Sequence, residues 1–124
     1  MIYINSYVKI VDNSGGLIFF CIKIYGKRKI ASRGIYGDII IGSLKTVSLK
    51  KKKVKKGSLY KAVIVRTKNT LTNVDGISLF FFTSGVVLLN NKMLPIANRV
   101  FGVIPKKIIK KGFLKIASLA FATL

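Results

Sequence analysis

Residues 55–68 read KKGSLYKAVIVRTK, in which a turn and a compact apolar run lie between cations. The β-branched run at 63–65 (VIV) favours a strand that is buried on both faces over a half-exposed strand with strict alternation. Arg66 and Lys68 follow the run, and long cationic side chains of this kind can bury their stems while presenting charge at the rim. The segment therefore predicts a core strand with a basic rim.

The charge balance is extreme for a chain that is also apolar. With 124 residues it fits a single domain, 1–124. There are 23 Lys and Arg residues against three Asp, which gives a net charge of +20. Self-repulsion on this scale opposes compaction unless a polyanion neutralises it, and nucleic acid is the densest such anion. A hydrophobic content of 51% predicts a folded protein and argues against a disordered basic tail.

Short apolar runs separated by turn signals predict a mainly β fold, a closed or nearly closed barrel with a long β-ribbon. The predicted strands are 6–11, 17–25, 38–49, the central run around 63–65, 77–82 and 86–89. The β content is expected to stop there. A helical turn is predicted at 98–103 and a short closing helix at 113–122.

The residues that most enzymes use are scarce. The chain has no His and no Glu, and Asp12 and Asp75 fit turns while Asp38 fits the start of a strand. Cys21 is the single cysteine and lies mid-strand, which predicts a buried apolar thiol. The glycines are not spaced as a phosphate-binding loop. The sequence therefore predicts no enzyme, no cofactor and no metal.

The cations are distributed over several loops, which suits irregular, structured RNA better than one DNA groove. The densest run, KKKKVKK at 50–56, is predicted to form a loop or hairpin tip, with a merely solvated loop or a localisation signal as the alternative. Phe80, Phe81 and Phe82 lie within an apolar run, so we expect them in the core, with base stacking as the alternative.

Several segments, in order along the whole chain, point to one family. They are VDNSGG at 11–16, CIKIYG at 21–26, GDIII at 37–41, VKKG at 54–57, KAVIVRTK at 61–68, DG at 75–76, VVLLNN at 86–91, PIANRVFG at 95–102 and FLKIASLA at 113–120. On these segments the chain resembles the universal fourteenth protein of the large ribosomal subunit, of bacterial and organellar type. The resemblance implies a small five-stranded β-barrel with a projecting β-ribbon and short C-terminal helices, and a structural role.

The implied partners are large-subunit rRNA, neighbouring large-subunit proteins and, at an inter-subunit bridge, small-subunit rRNA. The expected rRNA-binding residues are Lys27, Arg28, Lys29, Arg33, Lys50, Lys51, Lys52, Lys53, Lys55, Lys56, Arg66, Lys68, Lys106 and Lys107. The resemblance also implies a subunit-facing surface that docks a ribosome silencing factor, and the matching residues are Asn98, Arg99 and Lys115. The chain departs from the family pattern at Asn98, where Thr is usual, and at 105–111 (PKKIIKK), which has no acid.

Nineteen of the 23 basic residues are Lys, and Ile, Phe, Asn and Tyr are abundant, a bias that AT-rich codons produce. The N-terminus has the pattern of neither a transit peptide nor a signal peptide. We therefore expect a protein of the mitochondrial ribosome, encoded in the organelle, with a plastid or an AT-rich bacterial cytoplasm as alternatives. The longest uncharged stretch, 76–91, is broken by Ser, Thr, Gly and Asn, so no membrane insertion is expected. An architectural DNA-binding protein and a membrane-active basic domain are the competing classes.

Overall fold

The computed structural model describes residues 2–26, 33–50 and 53–124. This part of the chain is mainly β, as predicted. Its elements are β1 (Tyr7–Ile10), β2 (Gly16–Ile24), β3 (Ile39–Val47), β4 (Leu59–Arg66), β5 (Leu71–Thr72), β6 (Ser78–Leu79), β7 (Gly85–Leu89), β8 (Val100–Ile104), α1 (Lys107–Lys110), α2 (Leu114–Leu119) and β9 (Ala120–Thr123).

Five strands close a barrel in the order β1-β2-β3-β4-β7. The barrel closes through parallel pairing of β1 with β7, in which Ile10 lies beside Val86, while the other neighbours are antiparallel. The two nine-residue strands, β2 and β3, approach closely at Gly42, where a Cβ atom would collide with the carbonyl oxygen of Phe20. The predicted five-stranded barrel is confirmed.

Both faces of β4 are buried, as the apolar run predicted. Ala62 and Ile64 point into the cluster that fills the barrel, whereas Val63 and Val65 belong to a second apolar cluster. All four side chains are fully shielded from solvent. Neighbouring β7 repeats the pattern, because alternate residues of its run 86–89 join the two clusters. The central pair of strands is therefore sandwiched between two cores.

The C-terminal segment covers the outer side of β4 and β7. Strands β8 and β9 pair in parallel, and the short helices α1 and α2 lie between them in sequence. Val100, Ile104, Ile108 and Ile116 are at most 1% exposed and supply most of the second cluster. The two short C-terminal helices are confirmed.

Four predictions about the elements were wrong. The segment expected as a helical turn at 98–103 forms β8 instead, and the β content does not stop at Leu89. The predicted helix at 113–122 ends at Leu119, where the chain enters β9 to pair with β8. Of the predicted strand at 77–82, only Ser78 and Leu79 pair in a ladder. For β8 and β9 a pairing partner about twenty residues away decided the conformation, and local propensity does not encode that partner. The segment 77–82 pairs only with the neighbouring β5, which is two residues long, so its ladder is equally short.

A buried carboxylate fastens the turn between β1 and β2 to β7. Asp12 is 5% exposed, and its carboxylate accepts hydrogen bonds from Ser14 N–H at 3.0 Å and from Leu88 N–H at 3.0 Å. The Ser14 hydroxyl donates to the same carboxylate. Burial raises the pKa of Asp12 above its ordinary value, although the hydrogen bonds and the charge of Lys53 act in the opposite direction. The predicted turn role of Asp12 thus extends to a contact with the neighbouring strand β7.

We predict that Asp12 makes stability fall with rising pH in the acidic range. Because its folded pKa is raised, the folded state holds this proton more tightly than the unfolded state, so stability is lost as pH rises from 3.8 through the folded pKa. Asp12→Asn removes the titration but keeps one acceptor oxygen, which adds a pH-independent offset. Urea unfolding of both proteins across the acidic range at fixed ionic strength gives the free energy of unfolding of the wild type minus that of Asp12→Asn at each pH, and this difference is expected to fall as pH rises. A flat or rising difference contradicts the prediction.

Candidate nucleic-acid interface

The cationic loop between β3 and β4 is anchored by one apolar residue. Val54 is 4% exposed and packs in the barrel core, while Lys53, Lys55 and Lys56 around it are exposed. The Lys55 N–H donates to the Tyr60 hydroxyl at 3.1 Å, and the loop returns into β4 at residues 57–59. The loop therefore has a fixed attachment, from which its ammonium groups project into solvent. Val54 is a residue that the sequence reasoning overlooked, although it is the single apolar residue in a run of Lys.

A second cationic group lies on the C-terminal segment beside the β5–β6 hairpin. A cleft there is lined by Asn73, Val74, Asp75, Lys106, Lys107 and Lys110. The ammonium group of Lys107 donates to the Thr72 carbonyl at 3.3 Å, which ties α1 to the hairpin. Lys68, which precedes the hairpin, is exposed. Two of the predicted rRNA-binding residues, Lys106 and Lys107, thus lie together at this cleft.

Arg66 has an intramolecular role. Its guanidinium donates to the carbonyl oxygens of Val103, at 2.9 Å, and of Phe101, so it holds β8 against the end of β4. Partial burial lowers the pKa of Arg66 from its usual value. Gly102 has a φ of +76°, and a Cβ at this position would meet the guanidinium at 2.5 Å, so the clamp needs glycine there. The predicted contact of Arg66 with rRNA stays a prediction beside this intramolecular role.

The remaining predicted cations differ in where they lie. Arg33 and Lys50 are exposed. Five predicted residues fall outside the described part of the chain: Lys27, Arg28, Lys29, Lys51 and Lys52. Lys9, Lys23 and Lys45 are exposed as well, but they lie on the barrel strands and outside the predicted rRNA-binding set. The exposure of Lys9 follows from the period of two in β1, whereas Lys23 and Lys45 each lie beside another exposed residue, which that period does not predict.

The predicted subunit-facing residues are exposed, and two of them are positioned by a polar contact. The Asn13 side chain donates to the Asn98 side-chain carbonyl at 2.6 Å, and its own carbonyl accepts from the N–H groups of Asn98 and Arg99 at 3.2 Å each. The Arg99 guanidinium lies over the Phe101 ring at 5.6 Å. Lys115 projects from α2. All three residues belong to the segment that covers the barrel.

The prediction that the Phe run at 80–82 packs in the core was wrong for two of its members. Phe80 is 55% and Phe82 is 85% exposed, and only Phe81 packs against the second core cluster. The reason is that Phe81 finds partners in the second cluster and in the Arg66 guanidinium, whereas the segment leaves the β6 ladder at Leu79 and its other two rings face solvent. An unbroken apolar run therefore did not mean burial on both sides, as it did in β4.

The described residues contain no metal-binding cluster, and their one cysteine is a buried thiol. No cluster of three or more His, Cys, Asp or Glu side chains that could hold a metal occurs among them. Cys21 is fully buried, and desolvation raises the pKa of its thiol to about 11. The thiol thus stays protonated and packs as a small apolar group. Within 2–26, 33–50 and 53–124, no helix is long and apolar enough to cross a membrane.

A comparison with known protein families covers the whole chain. The family model described as ribosomal protein L14p/L23e matches residues 1–124. The match includes every segment on which the resemblance was based, together with the C-terminal residues that depart from the family pattern.

We predict that Arg66 contributes to the stability of the fold and that Lys68 does not. Arg66→Lys removes the planar fork that reaches two carbonyls, so it is expected to lower the free energy of unfolding by about 1 to 3 kcal/mol. Lys68→Gln serves as the matched control two residues away, because its side chain is exposed and its replacement should leave stability unchanged. Thermal and urea unfolding of the two variants provide the measurement. Equal stability of Arg66→Lys and the wild type argues against the clamp.

Proposed function

The chain belongs to the ribosomal protein L14p/L23e family, a family of structural large-subunit ribosomal proteins, and we propose that it binds large-subunit rRNA through its basic loops. The observation that carries the proposal is the anchored loop: Val54 is fixed in the barrel core while Lys53, Lys55 and Lys56 remain exposed. Family membership indicates a ribosomal location and a role without catalysis.

The mechanism that we propose is electrostatic and geometric. Lys is a flexible point charge without a planar fork, so these loops contact phosphates and do not discriminate between base sequences. The barrel holds the loops at fixed separations because its strands are hydrogen-bonded in a closed ring. Arg33, Lys50, Lys53, Lys55, Lys56, Lys68, Lys106 and Lys107 are the described candidates for phosphate contact. Arg66 contributes by holding β8, and Lys27, Arg28, Lys29, Lys51 and Lys52 complete the proposed set.

We further propose that the chain acts as one domain in a mitochondrial large subunit, where it contacts neighbouring ribosomal proteins. The Lys-rich composition with few Arg supports an AT-rich coding genome, and a plastid or bacterial ribosome is the alternative. Locating the gene in an organelle genome decides among them.

We predict that the loop lysines set the salt dependence of rRNA binding. Replacing Lys50, Lys53, Lys55 and Lys56 with Gln is expected to reduce the slope of log K against log salt by about 0.7 to 0.9 for each phosphate that the variant no longer neutralises. The measurement is binding of the full chain to a large-subunit rRNA transcript between low and physiological salt.

The control for this prediction removes the same charge elsewhere. A variant with Lys9, Lys23, Lys45 and Lys92 replaced by Gln has the same net charge as the loop variant and should change the slope less. Identical slopes for the two variants would mean that the loop lysines are merely solvated and make no specific phosphate contacts.

A second part of the proposal concerns the surface around Asn98, Arg99 and Lys115. We propose that it faces the small subunit, contacts its rRNA at an inter-subunit bridge and docks a ribosome silencing factor. The support is positional, since Asn13 fixes the backbone at Asn98 and Arg99 while the Arg99 side chain stays exposed. A positioned, exposed cation on a rigid cover suits a specific docking contact better than a cation on a long loop.

We predict that charge reversal at this surface separates assembly from subunit joining. Arg99→Glu combined with Lys115→Glu is expected to leave incorporation into large subunits normal and to impair joining to small subunits or binding of the silencing factor. Sedimentation of subunits from cells that carry the variant measures both steps. Loss of incorporation alone would assign these cations to rRNA contact within the large subunit.

A further inference from the structure

Phe80 and Phe82 form an exposed aromatic pair on a basic protein. Between them Phe81 turns inward, packs against the second core cluster and lies under the Arg66 guanidinium at 5.7 Å. That contact attaches the segment 80–82 to the fold, because Arg66 itself is hydrogen-bonded to β8. The two outward rings are 55% and 85% exposed. The exposure of these two rings thus accompanies the inward packing of the residue between them.

The two rings meet edge to face. Their centroids are 5.5 Å apart and their planes are inclined by 78°. In this geometry the edge of one ring covers at most one face of the other, so at least one face of each ring is not covered by its partner. Open aromatic faces are the surface on which a flat π-system stacks.

The surroundings favour an anionic partner. The β5–β6 hairpin that precedes these rings borders a cleft lined by three cations, Lys106, Lys107 and Lys110, against one carboxylate, Asp75. Lys107 is hydrogen-bonded to the Thr72 carbonyl. Thr72 pairs with Ser78, and the chain from Ser78 to Phe82 spans at most about 14 Å. Cations and open rings are therefore within reach of one short strand of nucleic acid. An apolar protein segment would gain nothing from this charge, whereas a nucleic-acid strand uses both features.

We propose that Phe80 and Phe82 are a stacking site for unpaired bases of RNA, with the lysines of the neighbouring cleft neutralising the phosphates of the same strand. The site rests on the proposed rRNA binding and adds to it a contact that depends on base stacking rather than charge. It selects single-stranded over paired RNA, because paired bases have no free face to offer. It also gives a role to two large apolar rings that the fold leaves open to solvent.

The chain has no Trp, so one introduced indole reports on the site alone. In Phe82→Trp, fluorescence is expected to be quenched when the full chain binds single-stranded oligoadenylate, and not when it binds a duplex of the same length. Phe121→Trp is the matched control, because Phe121 is also 85% exposed but lies in β9. Its indole should respond equally weakly to both RNAs.

Affinity gives the second readout. Phe82→Leu keeps an apolar side chain but removes the ring, so binding of the single strand should weaken by about tenfold with an unchanged salt slope. Phe121→Leu makes the same chemical change at the control position and should leave affinity as in the wild type. Circular dichroism of both variants serves as the control for folding.

The outcomes separate the stacking site from the proposed function. If Phe82→Leu binds the single strand as tightly as the wild type, the stacking site is wrong, and an apolar protein contact, which Leu would satisfy, becomes the better explanation. An indole at position 82 that stays unquenched in the RNA-bound chain leads to the same conclusion. If the wild-type chain shows no salt-dependent binding to the rRNA transcript, the rRNA-binding proposal itself fails, whichever residue stands at position 82.

Discussion

The burial of β4 and β7 on both faces is the constraint on which the rest of the structure depends. A strand pair that must be covered twice needs a barrel on one side and a second layer on the other. The first requirement is met by the ring β1-β2-β3-β4-β7, the second by β8, β9 and the two short helices. Neither layer suffices alone, since Val63 and Val65 would face water without the C-terminal cover. The C-terminal third is therefore part of the core.

This constraint also decides where charge can lie. A chain with a net charge of +20 has to place its cations where water or a polyanion reaches them, because an unpaired charge in an apolar core is very costly. Because β4 and β7 are buried on both faces, only the ends of these strands can place a cation in contact with water or a polyanion. Arg66 at the end of β4 shows the limit, since it enters the half-buried zone only where two backbone carbonyls receive its guanidinium. Asp12 is the opposite case, a buried anion that is satisfied by backbone and hydroxyl donors.

The sequence predicted the elements whose burial is local in origin. The run at 63–65 is β-branched and uninterrupted, and this composition already required two covered faces. The segment at 98–103 carried no such signal, because β8 exists through parallel pairing with residues about twenty positions later. The Phe run at 80–82 resembled the run of β4 in hydropathy, yet two of its three rings are exposed. Period and propensity describe a segment, whereas the number of layers around it is a property of the fold.

The sequence predicted the part of the candidate site that consists of charged side chains. Sequence reasoning found exposed lysines on the loop before β4 and beside the hairpin, because Lys is seldom buried. It did not identify Val54, which fixes the lysine loop, or Asn13, which fixes the backbone at Asn98 and Arg99, since an anchor is established only by its contacts. Attraction between lysines and phosphates is strong but imposes little orientation, and a protein held by charge alone would slide over its partner. Orientation has to come from anchored loops and from contacts with a defined plane, and the stacking site that we propose at Phe80 and Phe82 would provide such a plane.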